Sequence, residues 1–180
     1  MTEKLTFFWR TQSPFSQWHP AKFTIEGIEF NCAEQYMMYM KAKLFGDTES
    51  MALILNAKEP REQKTLGRAV KGFIPAIWNA VARDIVFRAN VEKFSQNKRL
   101  LFILLNTEGT TLVEASPSDT VWGIGLAEDN PLALNRETWN GTNWLGQVLT
   151  DVRHALAFLQ PSVFDYQVCD DFDYDDPMYK

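Results

Sequence analysis

Cysteine and histidine are nearly missing from this sequence, with two of each among 180 residues. Cys32 and Cys169 stand far apart, the second in an acidic stretch. That usage excludes a disulfide framework and predicts reduced thiols in a cytoplasmic protein. His19 and His154 are too few for a histidine-based metal site, so no metal is expected. Long apolar runs are missing as well. The longest, "LLFILL" at Leu100–Leu105, is far short of a membrane span and reads as core. The opening "MTEKLTFFWRTQ" lacks the apolar segment of a secretion signal. Neither a GxGxxG nor a P-loop is present.

Basic charge is also scarce. The formal net charge is −5, and residues 165–180, "DYQVCDDFDYDDPMYK", hold six Asp and one Lys. Setting these aside from 23 acidic and 18 basic residues leaves 17 of each, a neutral body. A neutral body gives no general attraction to a nucleic-acid backbone, which normally requires a basic face. We divide the chain into one domain, residues 1–164, and an acidic tail, residues 165–180, expected to be flexible.

What is present reads as a mainly helical α+β domain with a small sheet. "LTFFWR", "KFTIE" and "IEF" are short extended segments, the last two joined by the turn-prone Glu26-Gly27. The intervening "TQSPFSQWHPA" is a loop fixed by Pro14 and Pro20, with Phe15 and Trp18 either shaping a surface or plugging the core. Ala33, Tyr36, Met37, Met40 and Leu44 then fall at helical spacing, ending near Gly46. Asp47 caps a second helix, and Pro60 opens a third through "REQKTLGRAVKG". A longer helix runs from about Pro75 with Ile77, Trp78, Val81, Ile85 and Ala89 on one stripe, and "KRLLFILLN" continues it. "TLVEAS" reads as a strand. The last helix begins near Thr142, with Leu145, Val148, Leu149, Val152, Leu156 and Leu159 on its apolar face.

Three stretches bear chemistry. In "EFNCAEQYMMYMKAK", Asn31 and Glu34 have the spacing of a capping box, worth about 0.5–2 kcal/mol and needing no further role. Glu34 also shares a helix side with Met38 and Lys41, where the helix dipole would keep it ionised for activating water or stabilising a cation. In "VEASPSDTVWGIG", Asp119 precedes Trp122, whose face suits a flat ring. Gly123 and Gly125 admit either a ligand or another backbone. The plainer account is a core tryptophan beside an Asx-turn aspartate. In "WNGTNWLGQVLTDVR", Thr142 or Asn143 would cap the last helix, whose first amides can receive a phosphate.

In order and spacing, "FFWR", "PFSQW", "EFNCAEQYMMYMKA", "LGR", the tryptophan after it, "VEASPSDTVWGIG" and "WNGTNWLGQVLTDVR" resemble the NADAR, or YbiA-like, family from about Phe7 to Leu159. The resemblance implies a mostly helical α+β fold and N-glycosidase chemistry on a ribose C1′–N bond. Its implied substrates are phosphoribosylamino-pyrimidines of the riboflavin pathway, giving ribose 5-phosphate, or ADP-ribosylated guanine in nucleic acid. It maps the family's helix-start glutamate onto Glu34 and its Asp-x-x-Trp-Gly onto Asp119, Trp122 and Gly123. Trp78, Arg10, Lys41, Gly67-Arg68 and Asn143 also occupy family-patterned positions.

Within that scheme Glu34 would stabilise an oxocarbenium-like sugar and position water. Asp119 would deliver a proton to the departing nitrogen or hold ribose hydroxyls. Trp122 and Trp78 would wall the base, and Arg10, Lys41 and Arg68 would take phosphate. The reaction calls for no metal and no redox cofactor. Ser16-Gln17-Trp18 replaces the usual Ser-Asn-Phe, Gln35 replaces a common His, and Ile124 replaces an acidic residue. These departures are expected on the substrate side, bearing on substrate identity. A binding module for ADP-ribose or NAD gains little from two carboxylates facing an anion, and a purely structural helical domain does not explain the ordered motifs.

Overall fold

The computed structural model describes residues 3–159. The acidic tail and the 164/165 boundary lie outside the described residues.

Among the described residues, two small sheets accompany six α-helices. Strand β1 (Leu5–Phe8) does not join the neighbouring hairpin but pairs in parallel with β4 (Thr111–Glu114), Phe8 opposite Glu114. Strands β2 (Phe23–Ile25) and β3 (Ile28–Phe30) form the expected hairpin. Its corner residues Glu26 (φ 51°) and Gly27 (φ 79°) are both left-handed, the geometry whose twist suits a two-residue hairpin loop. Side chains of β4 alternate between two cores, Leu112 in the main cluster and Val113 in a smaller one with Ile124, Leu126 and Ala133.

Helix α1 (Ala33–Leu44) is the hub, packed by α2 (Thr48–Asn56), α3 (Pro60–Arg68) and α4 (Pro75–Ser95). It buries more than a stripe: Ala33 through Tyr39, then Lys41 and Ala42, are all buried, while Leu44 is exposed. Asp47 caps α2 as expected, accepting the Ser50 amide at 3.1 Å. Helix α3 stops at Arg68, short of Gly72. The buried face of α4 is rotated from the expected stripe to Trp78, Ala82, Val86, Ala89, Asn90 and Lys93, leaving Ile77 in solvent. Gln96 and Asn97 then separate α4 from α5 (Lys98–Leu105). Among the described residues no helix is long and apolar enough to cross a membrane.

Helix α6 (Trp144–Leu159) packs on α4 and β4 and buries its expected face except Leu159. Neither Thr142 nor Asn143 caps it with its side chain. Asn143 (φ 52°) is instead a fastener for β4, accepting the Glu114 amide at 3.0 Å and donating to the Leu112 carbonyl at 3.0 Å. Replacing it by Ala leaves two main-chain groups unpaired, at about 1–3 kcal/mol each. Asn143→Ala should therefore lower the unfolding free energy in urea by several kcal/mol; a loss under about 1 kcal/mol would show that the two bonds are dispensable.

Candidate active site

The parallel pairing of β1 and β4 sends both following loops out of the same end of the ladder. One contains Trp18, the other Asp119. Loops at the carboxyl ends of parallel strands are favoured places for ligand sites.

The first loop is pinned from below by α4. Lys93, wholly buried, donates through Nζ to the carbonyls of Pro14 (2.7 Å) and Ser16 (2.9 Å). Burial pushes the Lys93 ammonium down to about 7. Asn90 donates to Gln17 Oε1 at 2.8 Å, and the Gln17 carbonyl accepts the Glu34 amide at 2.9 Å. The Ser16 hydroxyl accepts the Trp18 amide at 3.1 Å. The loop is thus tied both to α4 and to the first turn of α1, and Trp18 is set beside Glu34.

The capping-box expectation fails in an informative way. The N-cap of α1 is Cys32, and Gln35 rather than Glu34 reaches back, its Oε1 accepting the Asn31 amide at 2.8 Å. Asn31 is occupied elsewhere, with Lys58 O and Gln63. Glu34 is thereby released from capping, and it is only 5% exposed. Desolvation raises its carboxyl to about 7, opposed by Lys64, by a hydrogen bond from the Trp18 side chain and by Arg68, and reinforced by Asp119. The helix dipole therefore does not keep Glu34 ionised; burial outweighs it.

The cationic wall comes from α3. Trp18, Arg61, Lys64, Thr65 and Arg68 line a cleft of about 420 Å³, with Lys64 Nζ 5.7 Å from the centre of the Trp18 ring. Helix α3 lies close on α1 because residue 67 is glycine: a Cβ there would sit 2.0 Å from Met38 Sδ. Lys41, one turn on from Met38, is buried with its Nζ 4.0 Å from the centre of Phe73 and 5.8 Å from that of Trp78. Burial and Arg68 lower its ammonium, against the pull of Glu34.

On the other loop, Asp119 Oδ1 accepts the amides of Val121 (2.9 Å) and Trp122 (2.8 Å). It is indeed an Asx-turn aspartate, and it is also a negative neighbour of Glu34. Trp122 is half-buried, edge-on to Trp144 at 5.6 Å and packed on the main core. The space above Gly123 is filled by backbone, with the Glu114 carbonyl 2.9 Å from where its Cβ would be. The start of α6 offers no phosphate cradle: the amides of Asn143, Trp144 and Leu145 donate to the carbonyls of Gly123, Val121 and Trp122.

The structure thus gathers Glu34, Lys41, Arg68 and Asp119 into one electrostatic neighbourhood, with Trp78 beside Lys41. Asn143 and Gly123 serve the backbone. Arg10 (φ 65°) holds its guanidinium 4.6 Å above the Trp9 ring. Of the three departures from the family pattern, only Trp18 lines the cleft. Gln35 is buried against the carbonyls of Ile54, Leu55 and Ala57, and Ile124 lies in the smaller core. Lys64, Lys93 and Glu114 were not singled out from sequence. A lysine on the buried stripe of α4 was the available signal for Lys93; nothing local marked Glu114. Cys32 is no nucleophile, since burial raises its thiol to about 11 and Sγ donates to Gln63 Oε1.

The raised Glu34 carboxyl has a consequence for stability. Its ordinary value is 4.5 and its folded value about 7, so between these the native state binds the extra proton. Stability is then greatest below the lower value and falls as pH rises through the upper. Glu34→Gln should be more stable than the parent at pH 8, by on the order of 3 kcal/mol, and lose that advantage by about pH 4. Parallel denaturation curves at the two pH values decide it; a variant less stable at pH 8 would refute the burial argument.

Comparison with known proteins shows the family and the fold. The chain is similar to N-glycosidase R617 of Acanthamoeba polyphaga mimivirus, 45% identical over 144 residues, covering 77% of this chain and 85% of that one. It is similar to Protein irg-1 of Caenorhabditis elegans, 37% identical over 171 residues, covering 86% and 81% of the two chains. A chloroplastic riboflavin biosynthesis protein of Zea mays, PYRR, shares 34% identity over 110 residues, 59% of this chain and 16% of that protein. Among solved structures, the NMR structure of the E. coli protein YbiA superposes with a TM-score of 0.72 over 94% of this chain and 92% of that one, at 23% identity, a likeness of fold. Several relatives are named N-glycosidases, hydrolases acting on N-glycosyl bonds; the NADAR domain model matches residues 7–157, and the chain belongs to that family.

Proposed function

We propose that this protein hydrolyses the C1′–N bond of an anionic ribosyl substrate, with phosphoribosylamino-pyrimidine intermediates of riboflavin synthesis as the preferred class and ribose 5-phosphate as a product. The observation behind the reading is the buried Glu34, held by the Trp18 side chain next to a cleft walled by Arg61, Lys64 and Arg68. The riboflavin class rests on the matched segment of the maize PYRR protein and on the cationic wall, which suits a ribose phosphate.

Cleavage develops positive charge on the sugar, and a carboxylate near C1′ stabilises it. A folded value of about 7 lets Glu34 take a proton from the attacking water at neutral pH while still being largely available as the carboxylate slightly above it. Asp119 adds negative charge beside the site, Trp18 and Trp122 offer aromatic faces to the base, and Trp78 backs Lys41. Arg68 and Lys41, with Lys64 and Arg61, are the phosphate candidates.

A second reading has one specific observation in its favour. Three cations along one helix exceed the need of a single phosphate, and an ADP-ribosyl group brings two. Under that reading the protein removes ADP-ribose from a guanine base.

The deciding experiment measures product release from a phosphoribosylamino-pyrimidine and, in parallel, from an ADP-ribosylated guanine oligonucleotide. Wild type should cleave one of them. Glu34→Gln, still folded, should lose about 10²–10⁴ in kcat. Arg68→Ala should raise KM with a smaller effect on kcat. Wild type inert on both substrates, or a fully active Glu34→Gln, would sink the proposal.

A further inference from the structure

One acidic side chain near Glu34 has no part in the scheme above. Glu114 ends β4, and its backbone is fixed on both sides. Its amide donates to Asn143 Oδ1 at 3.0 Å, and its carbonyl accepts the Ile124 amide at 3.0 Å and closes over Gly123. The side chain is not satisfied in the same way. Oε2 is sealed from solvent without a hydrogen-bond partner, an arrangement rare for a buried polar atom unless a ligand resolves it.

The charged groups acting on Glu114 come from three elements and all belong to the surroundings of Glu34. They are Asp119 from the loop after β4, Lys64 from α3, and Glu34 itself from α1. Burial leads and the two carboxylates add to it, with Lys64 opposing, and the carboxyl rises to about 8. Glu34, at about 7, lies below it. Glu34 has the Trp18 side chain as a hydrogen-bond donor and two opposing cations, whereas Glu114 Oε2 has no partner and only Lys64 opposes it; carboxyls in such unlike environments are the pattern of an acid–base pair. Asp119 fits the donor role less well, because its Oδ1 is spent on the Val121 and Trp122 amides.

We propose that Glu114 is the proton donor to the leaving nitrogen in the hydrolysis assigned to Glu34, an inference that rests on the glycosidase reading of that site. The C1′–N bond breaks with its electron pair moving to nitrogen, and the Glu114 proton goes to that nitrogen. Water forms the new C1′–O bond and gives its proton to Glu34. The enzyme returns to its starting state when Glu34 loses that proton and Glu114 regains one, so the net change is one water consumed.

The test is kcat/KM between about pH 5 and pH 10 for wild type, Glu114→Gln and Glu34→Gln, on whichever of the two substrates is cleaved. Wild type should give a bell. Glu114→Gln should lose about 10²–10⁴ in rate together with the alkaline limb, and Glu34→Gln should lose the acid limb. A Glu114→Gln enzyme with wild-type rate and an intact alkaline limb overturns the assignment while leaving Glu34 in place. An unaffected Glu34→Gln instead overturns the underlying site. Wild type inert on both substrates overturns the assignment together with the glycosidase reading; if only Glu114→Gln fails to fold, carboxyl-carbon NMR of glutamate-labelled wild type supplies the answer, with Glu114→Asp identifying the signal. A Glu114 resonance still protonated at pH 7 upholds the proposal, and an ionised one overturns it.

Discussion

Taking the Glu34 carboxyl out of water organises much of this molecule. A glutamate at the start of a helix ordinarily faces solvent and favours the helix as an anion. Here the helix is the hub of the fold, and its first turn is covered by a loop on one side and by α3 on the other. Burial of an ionisable group is tolerated when neighbours offset part of its desolvation, and Lys64, Arg68 and the Trp18 side chain do so. Their help is incomplete, which is why the carboxyl ends near neutrality instead of deep in the acid range. Such a group weakens the fold once the pH rises through its folded value.

The cover over Glu34 depends on a second buried charge. Lys93 reaches two carbonyls of the Trp18 loop from inside the core, where a shorter or apolar side chain would leave those carbonyls unsatisfied. The parallel β1–β4 pair brings the Asp119 loop to the same end, and Asn143 locks β4 in the register that places Glu114 there. Gly67 completes the arrangement by letting α3 close on Met38. Each of these residues acts at a distance from the others in sequence, yet all of them determine how tightly water is kept from one carboxylate.

That distribution explains what was legible from the sequence. Helical periodicity, Asp47 as a cap, Pro60 and Pro75 as helix openers and the Glu26-Gly27 hairpin are local signals, and the fold follows them. Glu34 and Asp119 were found through ordered motifs. The parallel pairing of β1 with β4 was not legible, because nothing local in "LTFFWR" distinguishes a partner a hundred residues away from the adjacent hairpin. Asn143 was misread for a related reason: an asparagine before a helix looks like a cap until its amide is seen to bridge the backbone of another strand. Glu114 gave no sign because its meaning lies in what fails to contact Oε2.

The charge pattern bears on the kind of substrate. A body with equal numbers of acids and bases has little long-range pull on a polyanion, and screening removes most of what remains beyond about 8–10 Å. The cations that matter are concentrated on one face of α3 beside Trp18. Fields of that kind act over a few ångströms, and they reward a compact anionic group that enters the cleft more than a duplex lying across the surface. A nucleotide-sized phosphate ester meets that condition directly. A modified base in nucleic acid meets it only once splayed from its neighbours, so that unstacking would be charged against binding energy drawn from the same few residues.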